Sequence, residues 1–150
     1  MKLLVINGPN MNLLGMREPE LYGDRTLADL EDRLETHAKA CGAELECYQS
    51  NHEGALVDRL QQAWRDGVDG IVFNPAAYTH TSVALLDTLK AIRIPTVEVH
   101  LTKIEEREDF RRVSLIREAV IATVSGEGFP GYIRAMDILI QYLGENRVKR

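Results

Sequence analysis

The sequence predicts an α/β fold in which a parallel sheet of five strands lies between two layers of helices. Apolar runs of strand length alternate along the chain with segments whose apolar residues recur at helical spacing. Such alternation is typical of a parallel sheet covered by helices on both faces. The chain has 150 residues of ordinary globular composition, without repeats or linkers, which favours a single catalytic domain over residues 1–150.

The predicted strands are short apolar runs at residues 2–7, 44–49, 70–74, 96–100 and 119–124. Right-handed crossover connections leave few topologies for such a sheet. Five strands favour the order 2-1-3-4-5 of a flavodoxin-like three-layer sandwich over a full Rossmann sheet. Ligands of these sheets bind beyond the carboxyl ends of the strands, so the functional site is expected at the strand exits.

Helix ends and helix faces can also be predicted. Thr26 is a plausible N-cap with Asp29 three residues later, and Gly42 suits the end of the same helix. The last helix is expected to follow a glycine-rich break at 126–131 and to end near Gly144, with a frayed tail from Asn146. The predicted apolar faces, helix by helix, are Leu27, Leu30, Leu34, Ala38 and Cys41; Leu56, Leu60, Ala63 and Trp64; Leu85, Leu86, Leu89 and Ile92; and Ile133, Met136, Ile140 and Leu143.

Charge and cysteine usage narrow the function classes. The formal net charge of −5 argues against a nucleic-acid or anionic-membrane partner, so an anionic substrate would need a locally basic site. Cys41 and Cys47 lack C-x-x-C spacing and a nearby second pair, and they are expected to be buried thiols of a reducing compartment. The apolar start at residues 2–6 is too short for a signal peptide, and no apolar stretch approaches the ~20 residues of a membrane span. The expected location is the cytoplasm.

Polar residues collect at three predicted strand exits. The connection after the first strand is nearly twenty residues long, where ~2–6 is usual, and it carries Arg17 and Tyr22. Its Gly, Pro and Asn residues are explained equally by turn chemistry or by a binding loop. The third strand ends at Asn74, followed by His80 and by Ser82, a predicted helix N-cap.

The fourth strand supplies the sharpest chemical signal. Glu98 and His100 are two residues apart and therefore point to the same face of a strand. A carboxylate beside an imidazole orients the ring and favours its protonated form. Arg107 and Arg111 are four residues apart, which predicts one helical face that is either solvated or a carboxylate clamp.

These residues leave more than one function open. A metal-dependent hydrolase would use His80, His100 and Glu98, although no H-x-x-x-H or D-x-D spacing supports it. A binding or signalling module of the same fold would need no chemistry. A receiver module would need acidic residues at the end of the first strand, where Asn7, Gly8, Pro9 and Asn10 stand instead. No nucleotide-binding glycine motif and no serine nucleophile elbow occurs.

Several segments, taken together, resemble the type II 3-dehydroquinate dehydratases. They are 7–12 (N-G-P-N-M-N), 22–23 (Y-G), 49–54 (Q-S-N-H-E-G), 74–82 (N-P-A-A-Y-T-H-T-S), 98–101 (E-V-H-L), 107–111 (R-E-D-F-R) and 125–126 (S-G). They run in order through nearly the whole chain. The sequence departs from the family pattern at Thr102, which keeps a hydroxyl and the backbone contact, and at Lys103, which affects local hydrogen bonding. Further departures at Leu86, Glu127 and Pro130 concern subunit contacts more than chemistry.

The resemblance implies a lyase of the shikimate pathway, serving aromatic amino acid biosynthesis, that converts 3-dehydroquinate to 3-dehydroshikimate through an enolate; quinate breakdown would use the same step. It implies no cofactor, no metal and a dodecamer built from trimers. The implied catalytic residues are Tyr22 as base, Arg17 as its phenolate partner, Asn12 near the enolate oxygen, His100 as acid and Glu98 as its orienting group. The implied substrate-binding residues are Asn74, His80, Leu101, Thr102 and Arg111, with Asp87 reaching a neighbouring subunit.

Overall fold

The computed structural model describes residues 1–16 and 18–148, with the backbone only at residues 21, 22 and 148. Five parallel strands form one sheet in the order β2-β1-β3-β4-β5, which confirms the predicted topology. Their bounds are β1 Lys2–Asn7, β2 Glu44–Gln49, β3 Gly70–Asn74, β4 Thr96–His100 and β5 Ala122–Ser125.

Helices cover both faces of the sheet. Their bounds are α1 Pro19–Tyr22, α2 Leu27–Ala40, α3 Glu53–Arg65, α4 Val83–Ile92 and α5 Gly128–Val148. Alternate residues of a strand point to opposite faces, and β1 shows the result directly. Leu3 and Val5 join the core under α2 and α5, whereas Leu4 and Ile6 join the core under α3 and α4.

The predicted helix caps are confirmed. The Thr26 hydroxyl accepts a hydrogen bond from the Asp29 N–H (3.2 Å), and the Asp29 carboxylate accepts one from the Thr26 N–H (2.9 Å), which forms a capping box before α2. Ser82 caps α4 by accepting a hydrogen bond from the Leu85 N–H (3.0 Å). Gly42 has φ of 71°, the left-handed conformation expected after a helix.

Three predicted details of the helices are wrong. The buried face of α5 is formed by Tyr132, Ala135, Met136, Leu139 and Leu143, so Ile133 and Ile140 lie only at its margin. Residues 126–131 do not form a break before the last helix, because α5 already begins at Gly128. The helix continues to Val148 rather than ending near Gly144. Trp64 is 62% exposed and is not part of the α3 core face.

The fifth strand starts later than the sequence predicts. Residues 117–119 form a 3-10 turn, and β5 covers only Ala122–Ser125 instead of 119–124. Arg117 in this turn lies 3.7 Å from Glu98 and 3.3 Å from Glu105. Among the helices that the structure describes, none combines the length and apolarity needed to cross a bilayer.

The exits of β1 and β3 approach each other closely at Gly8. Its N–H donates a hydrogen bond to the Asn74 carbonyl (2.8 Å), so the chain continues the sheet pairing one residue beyond β1. A Cβ atom built on Gly8 would lie 2.3 Å from the Pro75 carbonyl oxygen and 2.6 Å from its carbon. Both obstacles are backbone atoms, so a side chain here requires the two strand exits to move apart.

Replacing Gly8 by Ala is therefore expected to destabilise the fold by about 1–3 kcal/mol, as overpacking usually does. The free energy of unfolding in urea measures the effect. Gly54→Ala is the matched control, because a Cβ on Gly54 meets nothing within 4 Å and alanine favours the helix in which it lies. Equal stabilities of the Gly8 and Gly54 variants would contradict the close approach.

Candidate active site

A cavity of about 140 Å³ opens at the carboxyl edge of the sheet. The exits of β1, β3 and β4 line it together with the segment between β4 and β5, which is the location that the topology predicts. The lining residues are Pro9, Asn10, Met11, Leu14, Asn74, Ala76, Ala77, His80, His100, Leu101, Thr102, Ile104, Arg107 and Arg111.

Most residues predicted for substrate binding are brought together here. The cavity lining includes His100, Leu101 and Thr102 from the end of β4, as well as Asn74, His80 and Arg111 listed above. Arg107, which the sequence marks as a possible clamp, lies in the same wall. The sequence missed the apolar part of the lining, because Met11, Leu14 and Ile104 resemble ordinary core residues.

Glu98 and His100 form a buried pair at the cavity. The Nε2 atom of His100 lies 2.5 Å from Oε2 of Glu98, and both side chains are almost fully removed from solvent. Since His100 lines the cavity and Nε2 is engaged by Glu98, Nδ1 is the ring nitrogen left to serve a ligand. The same-face prediction for these two residues is confirmed.

Three further side chains, which the sequence gave no reason to select, hold the Glu98 carboxylate. Oε1 accepts hydrogen bonds from the hydroxyls of Ser114 (3.0 Å) and Thr123 (3.5 Å), and Arg117 lies 3.7 Å from Oε2. Burial raises the pKa of Glu98, but its hydrogen bonds from His100 and Ser114 and the charges of His100 and Arg117 outweigh burial. The net pKa is below the ordinary value, so Glu98 is ionised at neutral pH.

A second buried network holds Asn74. The Tyr132 hydroxyl, wholly buried under the sheet edge, donates to Oδ1 of Asn7 (2.6 Å) and accepts from Nδ2 of Asn74 (2.8 Å). Oδ1 of Asn74 accepts from the Ala76 N–H (2.9 Å), so both ends of the amide are oriented. Burial raises the pKa of Tyr132, which keeps the hydroxyl protonated as a donor.

His80 is held by the segment that follows β4. Its Nδ1 lies 2.7 Å from the Val113 carbonyl oxygen, and an oxygen of this kind only accepts, so Nδ1 carries a proton. In this tautomer Nε2 is the acceptor nitrogen of a residue that lines the cavity. A ligand hydroxyl is a suitable partner for that atom.

The two cavity arginines do not lie on a helix, in contrast to the prediction. Two 3-10 turns, Ile104–Glu106 and Asp109–Arg111, replace it. Glu108 lies between the arginines, with Oε2 at 2.8 Å from Nε of Arg111 and 3.9 Å from Nε of Arg107. The clamp geometry is therefore produced by turns around one carboxylate rather than by helical periodicity.

Three of the predicted site residues that the structure describes do not line the cavity: Asn12, Asp87 and Glu98, which lies behind His100. Asn12 is exposed and accepts a hydrogen bond from Gln49 (3.4 Å), and Asp87 is exposed on α4; neither lines the cavity. Arg17 and the side chain of Tyr22 lie outside the described part of the chain.

The arrangement is suited to acid–base chemistry on a small anion. Two arginines and two histidines line the cavity, and none of its described lining residues is acidic, although the chain is acidic overall. The alternative metal site is not supported, because among the described residues Glu98, His80 and His100 do not bring three ligand atoms together. Fold and site thus define an α/β protein with an acid–base site for a small anionic molecule.

Comparison with known proteins identifies the family. The model of the family described as dehydroquinase class II matches residues 1–140, and the chain belongs to this family. A protein of Ralstonia nicotianae named 3-dehydroquinate dehydratase 1 is 50% identical over 142 residues, which cover 95% of this chain and 91% of that protein. The 3-dehydroquinate dehydratase of Bordetella avium is 50% identical over 140 residues, covering 93% and 97%.

Solved structures agree with these matches. The crystal structure of type II dehydroquinase from Butyrivibrio crossotus superposes with a TM-score of 0.91 at 46% identity, covering 93% of this chain and 97% of that one. A 3-dehydroquinate dehydratase-like protein from Bifidobacterium longum superposes with a TM-score of 0.71 at 28% identity, covering 96% and 98%.

Removing the Tyr132 hydroxyl should disturb both fold and site. Tyr132→Phe leaves Oδ1 of Asn7 and Nδ2 of Asn74 without their partner in a buried position, which is expected to cost about 1–3 kcal/mol of unfolding free energy. Tyr142→Phe, on the exposed side of α5, is the control and should change stability by less than about 0.5 kcal/mol. Urea unfolding of both variants measures the difference, and a Tyr132 variant as stable as the control would refute the network.

Glu98 should make the stability of the fold depend on acid pH. Because its folded-state pKa is lowered, its contribution is present above the unfolded-state value near 4.5 and is lost as pH falls through the lower folded-state pKa. Glu98→Gln should therefore show a shallower loss of unfolding free energy below about pH 4.5 than the wild type. Unfolding in urea along a pH series tests this, with exposed Glu145→Gln as control; parallel curves for wild type and Glu98→Gln would count against it.

Proposed function

We propose that this chain is a 3-dehydroquinate dehydratase, a carbon–oxygen lyase that carries out the dehydration step of the shikimate pathway. The observation that carries the proposal is the buried Glu98–His100 pair in a cavity with two arginines, in a chain of the dehydroquinase class II family. The product is 3-dehydroshikimate, and the reaction passes through an enolate.

His100 is proposed as the general acid. The ionised Glu98 accepts a hydrogen bond from the Nε2–H of its ring and so fixes the orientation of the imidazole. The proton on Nδ1 goes to the departing hydroxyl of the substrate, which leaves as water. The ring is then neutral and keeps the proton on Nε2, which still donates a hydrogen bond to Glu98. After the step, Nδ1 takes up a new proton from solvent.

Tyr22 is proposed as the base that takes the proton from the carbon next to the ketone. A free tyrosine has a pKa near ~10, too high for an efficient base at neutral pH. The guanidinium of Arg17 would favour the phenolate, and Arg suits this task because it does not lose its own proton. A water held by Asn12 would stabilise the enolate oxygen that develops.

The cavity supplies the contacts that hold the substrate. The guanidinium of Arg111, held by Glu108, is a suitable partner for the carboxylate of 3-dehydroquinate. Nε2 of His80 and the fixed amide of Asn74 suit its hydroxyl groups, as does the backbone at Leu101 and Thr102.

The proposal includes the assembly of twelve chains into a dodecamer built from trimers, in which Asp87 acts on the site of a neighbouring subunit. It is supported by the exposure of Asp87 on α4, outside the cavity of its own chain.

Purified protein and 3-dehydroquinate test the function directly. The conjugated enone of the product has an ultraviolet absorption that the substrate lacks, and its formation should proceed unchanged in the presence of borohydride or of a chelator. Inactivation by borohydride with substrate would indicate a lysine Schiff base, and inactivation by the chelator would indicate a metal; either result would overturn the proposed mechanism. Absence of turnover in folded and assembled protein would overturn the proposed function.

Tyr22→Phe tests the base in the same assay. Loss of a general base lowers kcat by about 10²–10⁴-fold, whereas KM should change little because the ring and the clamp remain. Tyr142→Phe is the matched control, because its side chain lies on α5 away from the cavity lining, and it should keep the wild-type rate. A Tyr22 variant with a near-normal rate would remove this residue from the mechanism.

A further inference from the structure

We propose that the chain carries a second ligand site, a zinc-type site for a divalent transition metal formed by His37, Cys41 and Asp137. Nε2 of His37, Sγ of Cys41 and a carboxylate oxygen of Asp137 all lie within 4.8 Å of one another. His37 is in the last turn of α2, Cys41 caps that helix, and Asp137 is on α5. None of the three residues lines the substrate cavity.

The geometry indicates a shared ligand rather than a proton relay. Nε2 of His37 is 2.6 Å from Oδ1 of Asp137 and 3.8 Å from Sγ of Cys41, so both partners approach the same ring nitrogen. A catalytic relay places its nucleophile and its carboxylate on opposite ring nitrogens. Two donors that converge on one nitrogen are instead arranged like neighbouring corners of a coordination shell.

The ligand atoms approach the spacing of a tetrahedral site, and the third pair, Sγ of Cys41 and a carboxylate oxygen of Asp137, lies within 4.8 Å. Zinc bonds of about 2.0–2.3 Å place adjacent ligand atoms roughly 3.4–3.6 Å apart. The His37–Cys41 distance of 3.8 Å is close to this range, whereas the His37–Asp137 distance of 2.6 Å must lengthen by about 0.8 Å. Asp137 is more than half exposed, so a rotation of its carboxylate is sterically free.

Electrostatics and donor chemistry favour the same ligand. The last turn of α2 is the negative end of its helix dipole, which favours a cation. A set of imidazole, thiolate and carboxylate donors prefers zinc and similar metals over magnesium or calcium. The two cysteines differ in access: burial raises the pKa of Cys47 to about 12, whereas Cys41 is exposed. Metal binding forms bonds to Sγ of Cys41, which releases its thiol proton to solvent, and to Nε2 of His37, whose ring changes tautomer so that Nδ1 carries the proton.

An occupied site would link two helices that share one core. Leu34 and Ala38 of α2 pack in the same cluster as Ala135 and Met136 of α5. A ligand that binds only the folded chain stabilises it in proportion to the logarithm of its concentration. The proposed metal would thus tie α2 to α5 without entering the substrate cavity.

Zinc and cobalt ions, added separately to the reduced full chain, test the proposal. We expect one equivalent of zinc to bind and raise the unfolding temperature, and cobalt to give a sulfur-to-metal charge-transfer band. Cys41→Ser should abolish that band. Cys41→Ser, His37→Gln and Asp137→Asn should each weaken zinc binding by about tenfold or more, because even the loss of a residue that only hydrogen-bonds to a metal ligand typically has an effect of this size. Urea midpoints without metal establish that each variant folds.

His52→Gln, an exposed histidine outside the cluster, is the matched control and should bind both metals as the wild type does. A cobalt band that survives in Cys41→Ser would overturn the site, because its thiolate would then be Cys47. Equal zinc affinities of all four variants and the wild type would also overturn it, since the metal would then occupy other residues.

Discussion

The buried charge of Glu98 is the constraint on which the candidate site depends. A carboxylate without solvent access is costly unless charged and hydrogen-bonding partners surround it. Those partners come from different parts of the chain: His100 on β4, Thr123 on β5, and Ser114 and Arg117 on the connection between them. The contacts of Ser114 and Arg117 with the Glu98 carboxylate therefore hold the irregular segment 101–121 over the strand ends, where it completes the cavity wall.

Much of the fold follows from local sequence because its signals are local. Glycine after a helix, a Thr–Asp capping box and an apolar run ending in Asn or His each specify a boundary without reference to distant residues. The errors arise where a distant polar group decides. The face of α5 is displaced because the buried Tyr132 carries its hydroxyl to Asn7 and Asn74. The late start of β5 coincides with the 3-10 turn that carries Arg117 to Glu98 and Glu105, contacts that an apolar run does not reveal.

The site was predictable to the extent that it lies on strand ends. Parallel strands in register place their carboxyl ends side by side, so Asn74, His80 and His100 could be assigned to one edge from order alone. Arg111 was assigned correctly for an incorrect reason, since turns around Glu108 and not a helical face bring it to the cavity. Ser114 and Thr123 gave no signal, because hydroxyl residues in loops and edge strands are common and only the buried charge explains them.

The cavity is basic although the chain is acidic, because the carboxylates that pair with the cavity's cationic side chains lie outside its lining. Glu98 engages Nε2 of His100, and Glu108 pairs with Nε of Arg111, yet neither carboxylate is part of the cavity lining. Each carboxylate thus fixes the orientation of a cationic side chain. The remaining donor atoms, Nδ1 of His100 and the terminal guanidinium nitrogens of Arg111, are available to bind a ligand. Net charge is therefore a poor guide to the site: the field that a bound anion meets is set by which member of each pair is nearer the cavity.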